Sequence, residues 1–361
     1  MAPNHPPSTP ANSPTNLNVK QVVLGDLLFP TWFQSIYPED LVSKDQDRLY
    51  ICRWCFRYSG DVDPYVRHTR ACEHRTTPLG TKVYDHGGYS VWEVDGDEHK
   101  LFAQNISLFA KLFVDHKSVF FDVASFLFYI LAFTDPNDPE NYHILGYFSK
   151  EKLSWDANNL ACILIFPPYQ HKQLGKLLMG VSYKLSGWER DTGLIGGPEK
   201  PLSEMGQKSY VRFWEERLAR HFLTHDCELD HPDESQQQQP QQKQKASKGS
   251  RKNYPQERMS VQDIGLATGM LTEDVITTLK SMGTVEPDTR SAKQKQAQLS
   301  ADGEDGGHAV FIRKSKVLDW AKAHKLALQD PVREEGFLGV WAPASSSEGS
   351  TIESQDDDDD E

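Results

Sequence analysis

The interval "YICRWCFRYSGDVDPYVRHTRACEHR" (Tyr50 to Arg75) constrains the fold of this chain more than any other stretch. Cys52 and Cys55 are separated by two residues, His68 follows after twelve more, and Cys72 after a further three. Two cysteines that close fit on a tight knuckle. His68 and Cys72, an i and i+4 pair, share one face of a helix and complete a tetrahedron. Four protein ligands leave no position open for water, so the spacing predicts structural rather than catalytic zinc. The chain has five cysteines in all, three of them between Cys52 and Cys72, which is a metal pattern and not a disulfide framework. A reducing compartment follows. The finger is contiguous with a long ordered stretch, so it is expected to staple the fold rather than read bases.

A chain of 361 residues allows two or three domains. Its opening, "MAPNHPPSTPANSPTNLN", has neither the basic start nor the apolar centre of a secretory signal, and residues 1–26 read as a disordered lead. The most apolar run, Val119 to Phe133, has fifteen residues with Asp122 inside, short of the roughly 20 that span a bilayer. It is expected to be core, and no membrane partner is predicted. The net charge of -13 argues against a surface that grips nucleic acid throughout and suits a basic partner, although the terminal "DDDDDE" supplies part of it.

Composition divides the rest of the chain. After a finger region (27–80) and a core (81–230), residues 231–258 include "HPDESQQQQPQQKQKASKGSRKN", which buries too little apolar surface to offset its chain entropy and reads as a disordered insertion. Its basic "KQKASKGSRK" has the composition of a nuclear localisation signal. A C-terminal lobe (259–343), interrupted at 289–307, precedes an acidic tail (344–361). Within the lobe, Ser260 and Asp263 resemble a capping box, Thr272, Glu273 and Asp274 open a second helix, and Gly283 ends it. With "HAVFIR" these make a helix-turn-helix with a strand. Few lysines or arginines lie on the second helix, so a packed lobe is expected, with direct DNA contact left open.

"HILGYFSKEK" reads as a strand, and "NLACILIFPP" as a central strand buried on both faces. The chain then passes into a helix with Leu174, Leu177, Leu178, Val181, Leu185 and Trp188 at helical spacing. Such a junction presents unpaired N–H groups at the positive end of a helix dipole, an anion site.

Taken together, "YICRWCFRY", "VWEVDG", "QNISLFAKLFVDHKSVFFDVASFLFY", "LGYFSKEK", "ACIL", "GKLL", "SYKLS" and "PEKPLSEMGQKSYVRFW" resemble the catalytic domain of MYST-family lysine (histone) acetyltransferases over roughly Leu27 to Phe222. The resemblance implies an α/β (α+β) fold: an acetyl-CoA-binding N-acetyltransferase core, an N-terminal C2HC zinc finger and a C-terminal helix-turn-helix-like lobe. It makes Glu199 the general base, a role that needs a carboxylate in a partly desolvated site to take the proton of a lysine ammonium. Cys162 matches the family's active-site cysteine and either acts as nucleophile or lines the pocket beside direct attack. Direct attack is preferred, because a cysteine on an apolar strand is a poor nucleophile without an adjacent base.

By the same resemblance, Ile163, Leu164 and Ile165 pair with the pantetheine arm of acetyl-CoA, Ser203 approaches the cofactor, and Lys117 is autoacetylated. Main-chain N–H groups of His171, Lys172, Gln173, Leu174, Gly175 and Lys176 cradle the pyrophosphate. This loop departs from the family pattern: Gln173 replaces a glycine and His171 an arginine. A side chain at such a position costs strain or points outward, and weaker cofactor binding is expected. The chain looks most like the fungal silencing-type branch, which implies a nuclear enzyme acting on lysine sixteen of the histone H4 tail at the nucleosome, within a small complex of partner subunits. A catalytically weak scaffold is the alternative, with Gln173 as its best support. A zinc-finger transcription factor would leave the large core unexplained.

Overall fold

The computed structural model describes residues 17–44, 46–189, 195–224, 256–286 and 309–343. At its centre is a five-stranded antiparallel sheet of β5 (Thr81–His86), β6 (Tyr89–Asp95), β7 (Phe126–Asp135), β8 (Asp138–Glu151) and β9 (Cys162–Ile165), ordered 5-6-7-8-9. The alternation of β7 sets the layers. Phe128, Ile130 and Ala132 face one apolar cluster, and Tyr129 and Leu131 face another on the opposite side.

The first cluster joins the sheet to the finger region. There β1 (Val19–Leu24), β2 (Leu27–Pro30), β3 (Gln46–Ile51) and β4 (Tyr58–Ser59) form a sheet ordered 2-1-3-4, with β1 and β3 parallel. Helix α1 (Val62–Ala71) carries His68, and α2 (Lys100–Lys111) buries Phe102, Ile106 and Phe109 at helical spacing. Phe56, inside the cysteine knuckle, is fully buried. Its ring centroid lies 5.4 Å from that of Phe109 and 5.6 Å from that of Phe166, the residue after β9. Each such side chain contributes about 1.5–3 kcal/mol by burial. The knuckle is thereby wedged into the core, as expected of a staple.

The opposite face packs against α3 (Leu174–Glu189) and α4 (Glu204–Thr224), and these carry the C-terminal lobe: β10 (Gln256–Ser260), α5 (Val261–Thr268), α6 (Thr272–Met282), β11 (Val285–Glu286), β12 (Ala309–Arg313) and α7 (Lys314–Ala323). Its strands form an antiparallel sheet ordered 10-12-11. Ser260 Oγ accepts from the Gln262 and Asp263 N–H groups and caps α5, and Gly283, in the left-handed region, ends α6. Thr272 lies inside α6, and Leu271 precedes it with no side-chain cap. Beyond α7 the chain returns to the sheet: Phe337 bridges Tyr84 in β5, and Leu338 N–H donates to the Val83 carbonyl.

Several expectations are corrected. Residues 19–24 belong to β1, not to a disordered lead, because Val19 and Val22 are fully buried between two partner strands. Likewise 256–258 belong to β10 rather than to the insertion. The segment "NLACILIFPP" is not a central strand. Its ladder, β9, is four residues long and lies at the sheet edge, paired only with β8. The apolar run from Val119 is core only from Val123 onward, with Phe121 half exposed in the loop before β7. Trp188 is also partly exposed, set edge-on against Phe337 at 4.6 Å. No described helix is long and apolar enough to cross a membrane. The lead before residue 17, the glutamine-rich insertion up to 255 with its basic cluster, the break at 289–307 and the acidic tail lie outside the described residues.

Candidate active site and metal centre

The ligand atoms of Cys52, Cys55, His68 and Cys72 all lie within 4.8 Å of one another. The Cys52 and Cys72 sulfurs are 3.8 Å apart, and Cys55 Sγ is 3.1 Å from His68 Nε2. A tetrahedral zinc with bonds of about 2.3 Å separates its thiolates by about 3.8 Å, so the donor set fits the ion. Cys52 and Cys72 are buried and the other two half-buried, which leaves a closed structural site.

The second site forms where β9 meets the segment carrying Glu199. Asn159 N–H donates to the Gly197 carbonyl (2.8 Å), and Glu199 N–H donates to the Leu160 carbonyl (2.9 Å). These bonds flank a single parallel bridge, Leu160 to Pro198, and there the pairing stops. Among the described residues, the outer edge of Cys162, Ile163, Leu164 and Ile165 has no strand beside it, and only the Gln170 side chain reaches it, at the Ile165 carbonyl (2.9 Å). Unpaired strand edges offer N–H and C=O groups to an extended amide-bearing chain. Gly146 permits this arrangement from the inner side: a Cβ there would lie 2.4 Å from the Leu164 carbonyl oxygen.

Glu199 stands at the fork. It is exposed, yet partial burial pushes its carboxyl above the usual glutamate range, Glu151 and Asp156 push it further, and Lys117 opposes them. The structure thus brings Lys117, from the loop between α2 and β7, within electrostatic reach of Glu199. Glu151, the last residue of β8, and Asp156, on the β8–β9 connection, are site residues that the sequence reading missed. Their distance from "PEKPLS" in the chain hid them. Cys162 is half-buried, and its sole hydrogen-bond partner among the described residues is Tyr147 Oη, 3.9 Å from Sγ. Burial, then Cys162, hold the Tyr147 phenol well above its ordinary range, so the hydroxyl stays protonated and is no base for the thiol.

The anion cradle lies at the other end of β9. After a single turn of 3₁₀ helix at Pro167–Tyr169, the backbone takes positive φ at His171 (62°) and at Gln173 (63°) but not at Lys172. Alternating hand of this kind turns successive N–H groups to one side. The Gln173 carbonyl accepts from Lys176 N–H (3.0 Å), which makes Gln173 the cap of α3 and leaves the first helical N–H groups outward. A Cβ on Gly175 would meet nothing within 4 Å, so the space over the first turn of α3 is open to a ligand.

Three side chains of this region are committed elsewhere. Leu174 is buried in the core, the Lys176 ammonium pairs with Glu216 Oε1 (2.7 Å), and Ser203 caps α4 by accepting from Gly206 N–H (3.1 Å). His171, Lys172 and Gln173 are exposed. Gln173 therefore costs backbone strain, on the order of 1 kcal/mol, and its side chain points to solvent. The cradle, the open edge and the fork fit a phosphate-bearing cofactor with an amide-containing arm.

Comparison with known proteins agrees with this geometry. Residues 77–304 match the MOZ/SAS family and residues 17–72 the MYST family zinc finger domain. The chain is 36% identical over 265 residues to a "Histone acetyltransferase Tip60 homolog" of Caenorhabditis elegans, covering 73% of this chain and 50% of that protein. It is 36% identical over 264 residues to "Histone acetyltransferase MOF" of Drosophila melanogaster, 73% of this chain and 27% of the relative. With "Histone acetyltransferase ESA1" of Debaryomyces hansenii the figures are 34% over 281 residues, 73% and 51%. The chain spans about half the length of these relatives, or less. With its zinc ligands and its split sheet edge both in place, the chain belongs to the MOZ/SAS family of MYST proteins.

Proposed function

We propose that the protein is an acetyl-CoA-dependent lysine acetyltransferase of histone tails, with Glu199 as general base. The observation that carries this reading is the fork itself: a carboxylate whose affinity for protons is raised, beside an unpaired strand edge that leads to an N–H cradle. A lysine ammonium, with pKa near 10.4, must lose a proton before its nitrogen can attack. Glu199, more basic than an ordinary glutamate, accepts that proton. Bound acetyl-CoA would supply an activated acetyl thioester. The main-chain N–H groups of His171 to Gly175 would hold its phosphates, the Lys176 N–H being spent on the Gln173 carbonyl, and the edge of Ile163, Leu164 and Ile165 its amides.

Cys162 lines the pocket rather than forming an acyl intermediate, a reading favoured by its lack of a basic hydrogen-bond partner among the described residues. Ser203 orients the segment between Glu199 and α4 and stands near the cofactor, and Lys117 takes up an acetyl group. The acidic surround of Glu199, with Glu151 and Asp156, suits a basic tail. The preferred substrate is the histone H4 tail at its sixteenth lysine, in the nucleus, with partner subunits supplying nucleosome recognition. The exposure of Gln173 weighs against the scaffold alternative. The reading is tested by incubating the protein with labelled acetyl-CoA and an H4-tail peptide and mapping the product by tandem mass spectrometry. Label on the sixteenth lysine is expected; no label on any lysine, with no acetyl-CoA binding by calorimetry, would overturn it.

A further inference from the structure

The stretch that carries Glu199 is held from two sides. On one, Gly197 and Glu199 bond to Asn159 and Leu160. On the other lies the N-terminal turn of α6, in the C-terminal lobe. Lys200 Nζ donates to Asp274 Oδ1 at 2.8 Å and also pairs with Glu273. Contact at Gly197 is close: a Cβ there would lie 2.8 Å from Leu271 Cδ1 and 3.3 Å from Asp274 Oδ2. A side chain at Gly197 would have to displace the end of Leu271.

The two carboxylates differ. Glu273 is largely exposed, and such a pair contributes little. Asp274 is 4% exposed and its Oδ2 has no hydrogen-bond partner among the described residues, so Lys200 is its one countercharge. An aspartate in the first turn of α6 is also favoured by the helix dipole. Lys200, next in sequence to Glu199, is not among the charges that bear on it, which come from Glu151, Asp156 and Lys117. Its ammonium is turned toward the lobe.

We propose that Lys200 and Asp274 form a positioning pair through which the C-terminal lobe holds the base loop against β9, making the lobe a working part of the active site. The helix that in a DNA reader would present its N-terminal turn to the groove presents that turn to the catalytic loop. The pair acts on kcat, through the placement of Glu199, and leaves acetyl-CoA affinity alone, because the cradle at His171 to Gly175 is built on a different loop. This rests on the reading of Glu199 as base.

The test uses the full chain with zinc bound and compares Lys200→Met, Asp274→Asn, Glu273→Gln and Lys200→Arg by kcat, KM for acetyl-CoA, melting temperature and hydrogen exchange across residues 197–203. Lys200→Met and Asp274→Asn are expected to lower kcat about tenfold with KM within twofold, and to speed exchange of the Glu199 amide about tenfold. Glu273→Gln should stay within twofold of wild type, and Lys200→Arg should restore most of the rate lost in Lys200→Met. Should Asp274→Asn not fold, Lys200→Met and its arginine rescue decide the matter. Wild-type rate and exchange in Lys200→Met would overturn the proposal, as would a kcat loss that arginine does not relieve. If the wild-type chain transfers no acetyl group, the base reading fails by itself, and the exchange measurement alone decides whether the pair holds the loop.

Discussion

The zinc centre and the fork at Glu199 are built in opposite ways. The centre draws its four ligands from twenty-one consecutive residues, Cys52 to Cys72, and brings their ligand atoms within 4.8 Å of one another. The fork draws Lys117, Glu151, Asp156, Cys162 and Glu199 from four separate segments, with the Glu199 stretch joined to the start of β9 by one strand bridge and two backbone hydrogen bonds. A local site closed by a metal is made or lost as a unit. A site assembled from distant segments degrades by degrees, since each support contributes only part of the alignment.

That contrast is broken most severely at the metal. Structural zinc contributes on the order of 10 kcal/mol to folding in small fingers. Here Phe56 couples the knuckle to Phe109 and Phe166. Cys72→Ser, or chelation, is expected to remove one zinc per chain, drop the melting temperature by more than about 10 °C and abolish acetyl transfer with it. Unchanged melting after zinc loss would show the finger to be dispensable.

Charge at the fork should act more gently and in two directions. Glu199 accepts a proton only when ionised, so activity is lost as pH falls through its raised pKa, and the acid limb of kcat/KM lies above that of an ordinary glutamate. Asp156→Asn removes a like charge and should move that limb to lower pH. Lys117→Gln removes the opposing cation and should move it higher, as would acetylation of Lys117. Shifts of the same sign in both variants would contradict this electrostatic account.

The smallest effect belongs to Gln173. Replacing it by glycine at φ 63° relieves left-handed strain and should raise stability by up to about 1 kcal/mol, or about 2–4 °C. Acetyl-CoA affinity, measured by calorimetry, should change less than threefold. A tenfold tightening would mean that the glutamine side chain does intrude on the cradle.

The same contrast explains what the sequence discloses. Zinc ligands are legible because their chemistry and spacing lie within one short window. The strand and helix that flank the cradle are legible from apolar period, and the Ser260 and Gly283 punctuation from capping physics. The position of β9 at the sheet edge is not legible: an unbroken apolar run reads as a central strand. Here the apolar residues Ile163, Leu164 and Ile165 contact the two apolar clusters from an outer strand. Val19 to Leu24 is equally hidden, since a short strand behind a proline-rich opening gains its burial only in the fold, from β2, β3 and the apolar cluster they share. Glu151, Asp156 and Asp274 become site residues only through contacts across the fold.

Glu199, at the end of the Leu160–Pro198 bridge, is proposed to take the proton of the substrate lysine. That role is tested most directly by the kcat of Glu199→Gln on an H4-tail peptide, at matched zinc content, melting temperature and acetyl-CoA saturation. Because the side chain is exposed, the variant should fold as wild type and lose about 10²–10⁴-fold in kcat at neutral pH, with the acid limb of the profile gone. A folded, saturated Glu199→Gln that turns over within tenfold of wild type and keeps the acid limb would contradict the account.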